Sequence, residues 1–130
     1  MQNLRDCLET FRSLDPEMQA QTMVIFLIIA ESNEEPVTMA EISKRAGVAQ
    51  SSVSRNVAAL GAWSRHKKPG LRLVEASEDP MDRRRKLVKL TPSGRRIKQL
   101  LENSYDNHTT RKRVPSDGHP SGPKVAKAIR

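Results

Sequence analysis

The sequence predicts a mainly α domain carrying a small β-wing, an α+β arrangement of the winged helix-turn-helix kind, and three observations predict it. Thr38 to Leu60 reads as two short helices joined at a glycine. Glu78 to Gly94 packs an acidic turn, a run of four cations and an apolar strand into one segment. Three further helical patterns flank these two stretches. At 130 residues the chain holds one domain at most. The expected division is a folded part, residues 1–103, with the helix-turn-helix at 38–60 and the wing at 71–90, followed by a basic disordered tail, residues 104–130.

From the N-terminus, Leu4, Leu8 and Phe11 fall at i, i+4 and i+7 and mark one apolar stripe of a first helix. That stripe either covers the core or pairs with a second subunit. Asp15 and Pro16 read as the cap and first turn of a second helix. Its apolar run from Met23 to Ala30 is too continuous for a surface face, so it is expected to lie deep between neighbours, and it is too short to span a bilayer. Pro36 to Thr38 is expected to add a short strand to the wing sheet. Thr38, with Glu41 three residues on, forms a capping box, so a helix starts at Met39 with Ile42 and Ala46 turned inward. Gly47 ends it, because a residue without Cβ takes the left-handed turn between two helices at little cost, and Val48 plugs the joint.

In the second helix of the pair Val53, Val57 and Leu60 make the buried stripe, which leaves Gln50, Ser51, Ser54, Arg55 and Ala58 facing away. Ala49 stands where a capping side chain is common, forgoing about 0.5–2 kcal/mol and allowing the start to slip so that Ser51 or Ser52 caps instead. The following link, GAWSRHKKPG, adds Arg65, Lys67 and Lys68 to the basic surface, and Trp63 is read as packed under the wing. Pro80 and its neighbouring acids suit a turn, and Lys86 to Leu90 alternates as a strand with Val88 and Leu90 on one face. Arg83, Arg84, Arg85 and Lys86 thereby sit at the tip of a short hairpin. Thr91 and Pro92 cap and open a last helix, expected to stop near Asn103. Beyond it, three prolines, two glycines and little apolar periodicity predict disorder, with Arg111, Lys112 and Arg113 available for nonspecific contacts.

Charge follows this plan. Residues 1–36 carry two cations against seven acids, a net of −5, whereas residues 37–103 carry 15 against six, a net of +9, and the remainder six against two, a net of +4. Segregation of that kind suits a polyanionic duplex, because each neutralised phosphate releases counterions. On the outward helix face the short serines permit close approach, while Gln50 suits an adenine edge and Arg55 a guanine edge or a phosphate.

The helix-turn-helix TMAEISKRAGVAQSSVSRNVAAL and the run DPMDRRRKLVKLTPSG, in this order and spacing, resemble the winged-helix regulators of the multiple-antibiotic-resistance (MarR) family. The likeness covers Thr38 to Gly94. It implies a sequence-specific, double-stranded-DNA-binding transcriptional regulator with its recognition helix in the major groove and its arginine wing on the minor groove or backbone. Carried over by position, it makes Gln50, Ser51, Ser54 and Arg55 groove-facing, places Arg84 at the wing tip and has Asp82 brace it. The full candidate DNA-binding set is Thr38, Gln50, Ser51, Ser52, Ser54, Arg55, Arg65, Lys67, Lys68, Asp82, Arg83, Arg84 and Arg85. The family's dimerisation through long terminal helices leaves a homodimer open here, since the last helix is expected to be short. The family's small phenolic effectors find few aromatics and no polar constellation, so no dedicated small-molecule ligand is expected.

Other chemistry is not indicated. No nucleophile stands beside a base and no glycine-rich cradle follows a strand, so catalysis is not expected. His66, His108 and His119 are scattered, so neither a metal nor a cofactor is expected. Cys7 is the only cysteine and no secretory leader is read before it, which makes a reducing cytoplasm the expected setting. A winged helix also serves as a protein-interaction module in replication or transcription assemblies. That use has little need of +9 concentrated on the helix pair and wing.

Overall fold

The computed structural model describes residues 1–32, 35–62 and 69–113, with side chains described as far as residue 106. Helices α1 (Gln2–Leu14) and α2 (Ala20–Glu31) precede a short strand β1 (Val37–Thr38). Helices α3 (Met39–Ala46) and α4 (Gln50–Leu60) form the turn-linked pair, β2 (Val74–Asp79) and β3 (Asp82–Leu90) the hairpin, and α5 (Pro92–Arg113) closes the order. The sheet is antiparallel in the order β1-β3-β2, with Val37 opposite Val88 and Val74 opposite Leu90.

One core runs through all of these elements. Phe26, Ile25 and Ile29 of α2, Ile42 of α3, Val53 and Leu60 of α4 and Val88 of β3 are almost wholly buried, and the Phe11 ring meets Phe26 edge-on at 5.9 Å. The α2 run is nevertheless not buried all round. Val24 and Leu27 remain exposed, while the rest of the run packs against α3, α4, β3 and α5.

Two boundaries differ from the sequence expectation. Asp15 and Pro16 do not start α2. Asp15 is extended and caps the end of α1, its carboxylate accepting from the Glu17 N–H at 2.9 Å, so the chain turns locally and α2 begins at Ala20. At the other end α5 continues to Arg113, ten residues past Asn103. Among its described side chains Leu101 is the last that is buried. Residues 114–130, which hold most of the expected tail, lie outside the described residues, as do Trp63 and His66; His119 falls in the first of these stretches, and the side chain of His108 is not described either.

The joint between α3 and α4 follows the sequence reading closely. Thr38 Oγ1 accepts from the Glu41 N–H at 3.0 Å, and Gly47 adopts φ 72°, ψ 32° while donating to Ser43 O. Ser43 Oγ then donates to Val48 O, which ties the far side of the turn back to α3.

Candidate nucleic-acid interface

The outward face of α4 is fixed by the burial of its opposite side. Val53, Val57 and Leu60 are 0%, 4% and 0% exposed, which fixes the helical phase, so Gln50, Ser51, Ser54 and Arg55 must face solvent. Ser51, Ser54, Arg55 and Ala58 line one shallow groove along α4. The helix starts at Gln50 behind an extended Ala49 with no side-chain cap, so the start does not slip to Ser51 or Ser52. Ser52 is half-buried, and its hydroxyl accepts from Arg55 Nη2 at 3.2 Å. Thr38 stands apart from this face, its oxygen taken up by the cap of α3.

The far end of α4 is fastened to the wing through the backbone. The last carbonyls of a helix lack partners within it. Here Leu71 N–H donates to Ala59 O, Leu73 N–H to Leu60 O, Arg72 N–H to Gly61 O and Gly70 N–H to Ala62 O. The approach is so close that a Cβ on Gly70 would stand 2.1 Å from Gly61 O, leaving no room for any other residue. Arg72 takes φ 58° to make the corner, and its carbonyl accepts from the Thr91 hydroxyl at 2.7 Å.

In the wing the cations occupy a strand and not the turn. β3 begins at Asp82, so Arg83 to Lys86 alternate along it, and the tip itself is Pro80 and Met81. Lys86 shares a second groove with Ser54 and Ala58 of α4, bringing the wing's cationic edge to the outward face of that helix. Arg84 is 90% exposed and is held at its base by Asp82, whose carboxylate accepts from the Arg84 backbone at 3.1 Å and from its Nε at 3.2 Å. The Arg84 side-chain bonds, then its backbone bond, lower the Asp82 carboxyl below its usual value.

Asp79 was not among the sequence candidates. It is nearly buried at the bulged pair with Asp82, accepts from Met81 N–H at 2.9 Å and faces Arg85 Nη1 at 3.7 Å. A bulge moves residues between faces, and nothing in the local pattern announces it. The Thr22–Asn56 pair beneath α4 was missed as well; Thr22 Oγ1 donates to Asn56 Oδ1. Arg65, Lys67 and Lys68 fall outside the described residues, and the side chains of Arg111, Lys112 and Arg113 are not described.

Residues 18–94 match the family model of the winged helix DNA-binding domain. No curated protein matches the chain. Among solved structures, the S. aureus MepR–DNA complex is 16% identical with a TM-score of 0.68, covering 86% of this chain and 82% of that one. A MarR-family transcriptional regulator from Rhodococcus sp. RHA1 is 21% identical with a TM-score of 0.57, covering 92% of this chain and 74% of that one. The PcaV transcriptional regulator of Streptomyces coelicolor, in complex with its natural ligand, is 21% identical with a TM-score of 0.52. That match covers 76% of this chain and 63% of PcaV. At such identities the likeness is one of fold.

Proposed function

Because the chain belongs to the winged helix DNA-binding domain family, we propose that it is a transcriptional regulator that reads duplex DNA by sequence. In this reading α4 enters the major groove, and the β2–β3 wing lies on the adjacent minor groove or backbone. One observation carries it: Ser51, Ser54, Arg55 and Ala58 form an open face that continues onto Lys86 of the wing, opposite the buried stripe of α4. Gln50 and Arg55 supply the bidentate groups, the serines allow close approach, and Arg83 and Arg84 extend the cationic edge. The protein acts by binding and not by catalysis, and it works in the cytoplasm; no helix among the described residues is long and apolar enough to cross a membrane.

The expectation that no dedicated ligand exists draws no support from the relatives, since PcaV is described with a natural ligand. The chain acts as a homodimer. Leu4 and Leu8 of α1 and Leu100 of α5 are exposed on helices that pack together, and α5 is long, as a shared terminal helix would be. Residues 114–130 are dispensable for sequence choice.

Selection of bound duplexes from a random pool tests the central reading. An enriched sequence is expected, palindromic for a dimer. Gln50→Ala and Arg55→Ala should then each cost about 1–3 kcal/mol on that sequence and much less on an unrelated duplex. Parallel loss on both duplexes would reduce these residues to phosphate holders.

A further inference from the structure

We propose that Thr22 is a positioning residue for the recognition helix: through Asn56 it sets the rotation of α4 and the pose of Arg55. The pair rests beneath the helix. Thr22 is one of two polar residues among the buried side chains of the described region, the other being Asp79 in the wing. Its hydroxyl donates to Asn56 Oδ1, and Asn56 Nδ2 donates in turn to Ser52 O at 2.8 Å. Ser52 Oγ accepts from Arg55 Nη2 at 3.2 Å. A continuous set of polar contacts thus runs from the first turn of α2 to the exposed cation of the reading face.

Such a connection does what the apolar stripe cannot. Val53, Val57 and Leu60 hold α4 against the core and set which face is buried, yet apolar contact is non-directional and constrains small rotations about the helix axis less than a hydrogen bond does. A side-chain atom about 6 Å from that axis moves about 2 Å for a rotation of roughly 20°. A base contact keeps its strength only within a few tenths of an ångström of about 2.9 Å. The hydrogen bond from Thr22 is directional, and α2 beneath it is anchored by Ile25, Phe26 and Ile29, each at most 1% exposed. Both amide atoms of Asn56 are engaged, so this side chain serves the scaffold and leaves reading to its neighbours.

The proposal rests on the reading of α4 as the sequence-reading helix, and the experiment separates the two. The full chain and its Thr22→Val and Thr22→Ser variants are titrated with the duplex enriched by selection and with a scrambled duplex, over a salt series. Thr22→Val should lose about tenfold in affinity for the enriched duplex, part of the worth of one bidentate base contact, with scrambled-duplex affinity and salt slope unchanged. Thr22→Ser, which keeps the hydroxyl, should restore discrimination. If Thr22→Val does not fold, the double variant T22V/N56L carries the test, because it removes both partners and leaves no polar group unpaired. Retained discrimination in a folded variant, or failure of Thr22→Ser to rescue, would overturn the positioning role alone. Wild-type protein that binds every duplex alike would overturn the reading of α4, and this role with it.

Discussion

Replacing Arg83, Arg84 and Arg85 together with alanine should separate the electrostatic work of the wing from its folding. Arg83 is exposed and Arg84, though braced at its base by Asp82, is 90% exposed, so both can meet phosphates, whereas Arg85 is half-engaged with Asp79. Each lost phosphate contact lowers the slope of log K against log salt by about 0.9. Three contacts lower it by about 2.7, and two by about 1.8 if Arg85 stays with Asp79. Between about 50 and about 200 mM salt, a fourfold change, each contact corresponds to about a 3.5-fold difference, so three amount to about 40-fold. Stability should fall by about 1 kcal/mol, mainly because Asp79 loses Arg85 and keeps only the Met81 N–H. Fluorescence anisotropy titrations across the salt series, on both enriched and scrambled duplexes, give the slopes, and a thermal melt gives the stability. A triple variant with the wild-type slope and affinity would refute the assignment of the wing to DNA.

The parts of this fold that were legible in the sequence are those governed by local chemistry. Thr38 and Gly47 announce their roles through capping and backbone freedom, and the Val53, Val57, Leu60 stripe fixes a helix face by period alone. The Asp82–Arg84 contact spans two residues, and the family likeness pointed to it. What stayed hidden depends on tertiary arrangement. The bulge that turns Asp79 inward, the pairing of Thr22 with Asn56 across 34 positions and the carbonyls of α4 capped by residues 70–73 leave no periodic trace. Asp15 and Pro16 carried a true local signal for a helix start, but the Asp15 carboxylate closed a turn on Glu17 instead. The end of α5 was misplaced because its polar composition past Leu101 looks like a tail, although helix propagation needs no apolar face once begun.

Gly70→Ala should destabilise the domain by about 1–3 kcal/mol in a denaturant titration, since the added methyl would force the link off Gly61 O and release the carbonyls of α4; wild-type stability would show that the link yields freely. Cys7, whose thiol donates to Leu101 O, has its pKa raised first by burial and then by Asp6. The neutral thiol's contribution is therefore full below the ordinary value of 9.0 and is lost as pH rises through the higher folded value, so alkylation near neutral pH should be slower than in the unfolded chain. Equal alkylation rates would contradict that burial. Asp82→Ala yields opposite signs for two accounts of the wing. If charge alone decides affinity, removing an acid among arginines strengthens binding to every duplex. If the brace decides it, Arg84 loses its fixed pose and the enriched duplex loses affinity while the scrambled duplex gains slightly. Because the carboxyl's pKa is lowered by Arg84, the brace is present above its usual value of 3.8 and is lost only as pH falls through the lower folded value. Near neutral pH the carboxylate is therefore charged and braced, and the two duplexes measured there decide between the accounts: a gain on both means that Asp82 does not hold Arg84 for DNA.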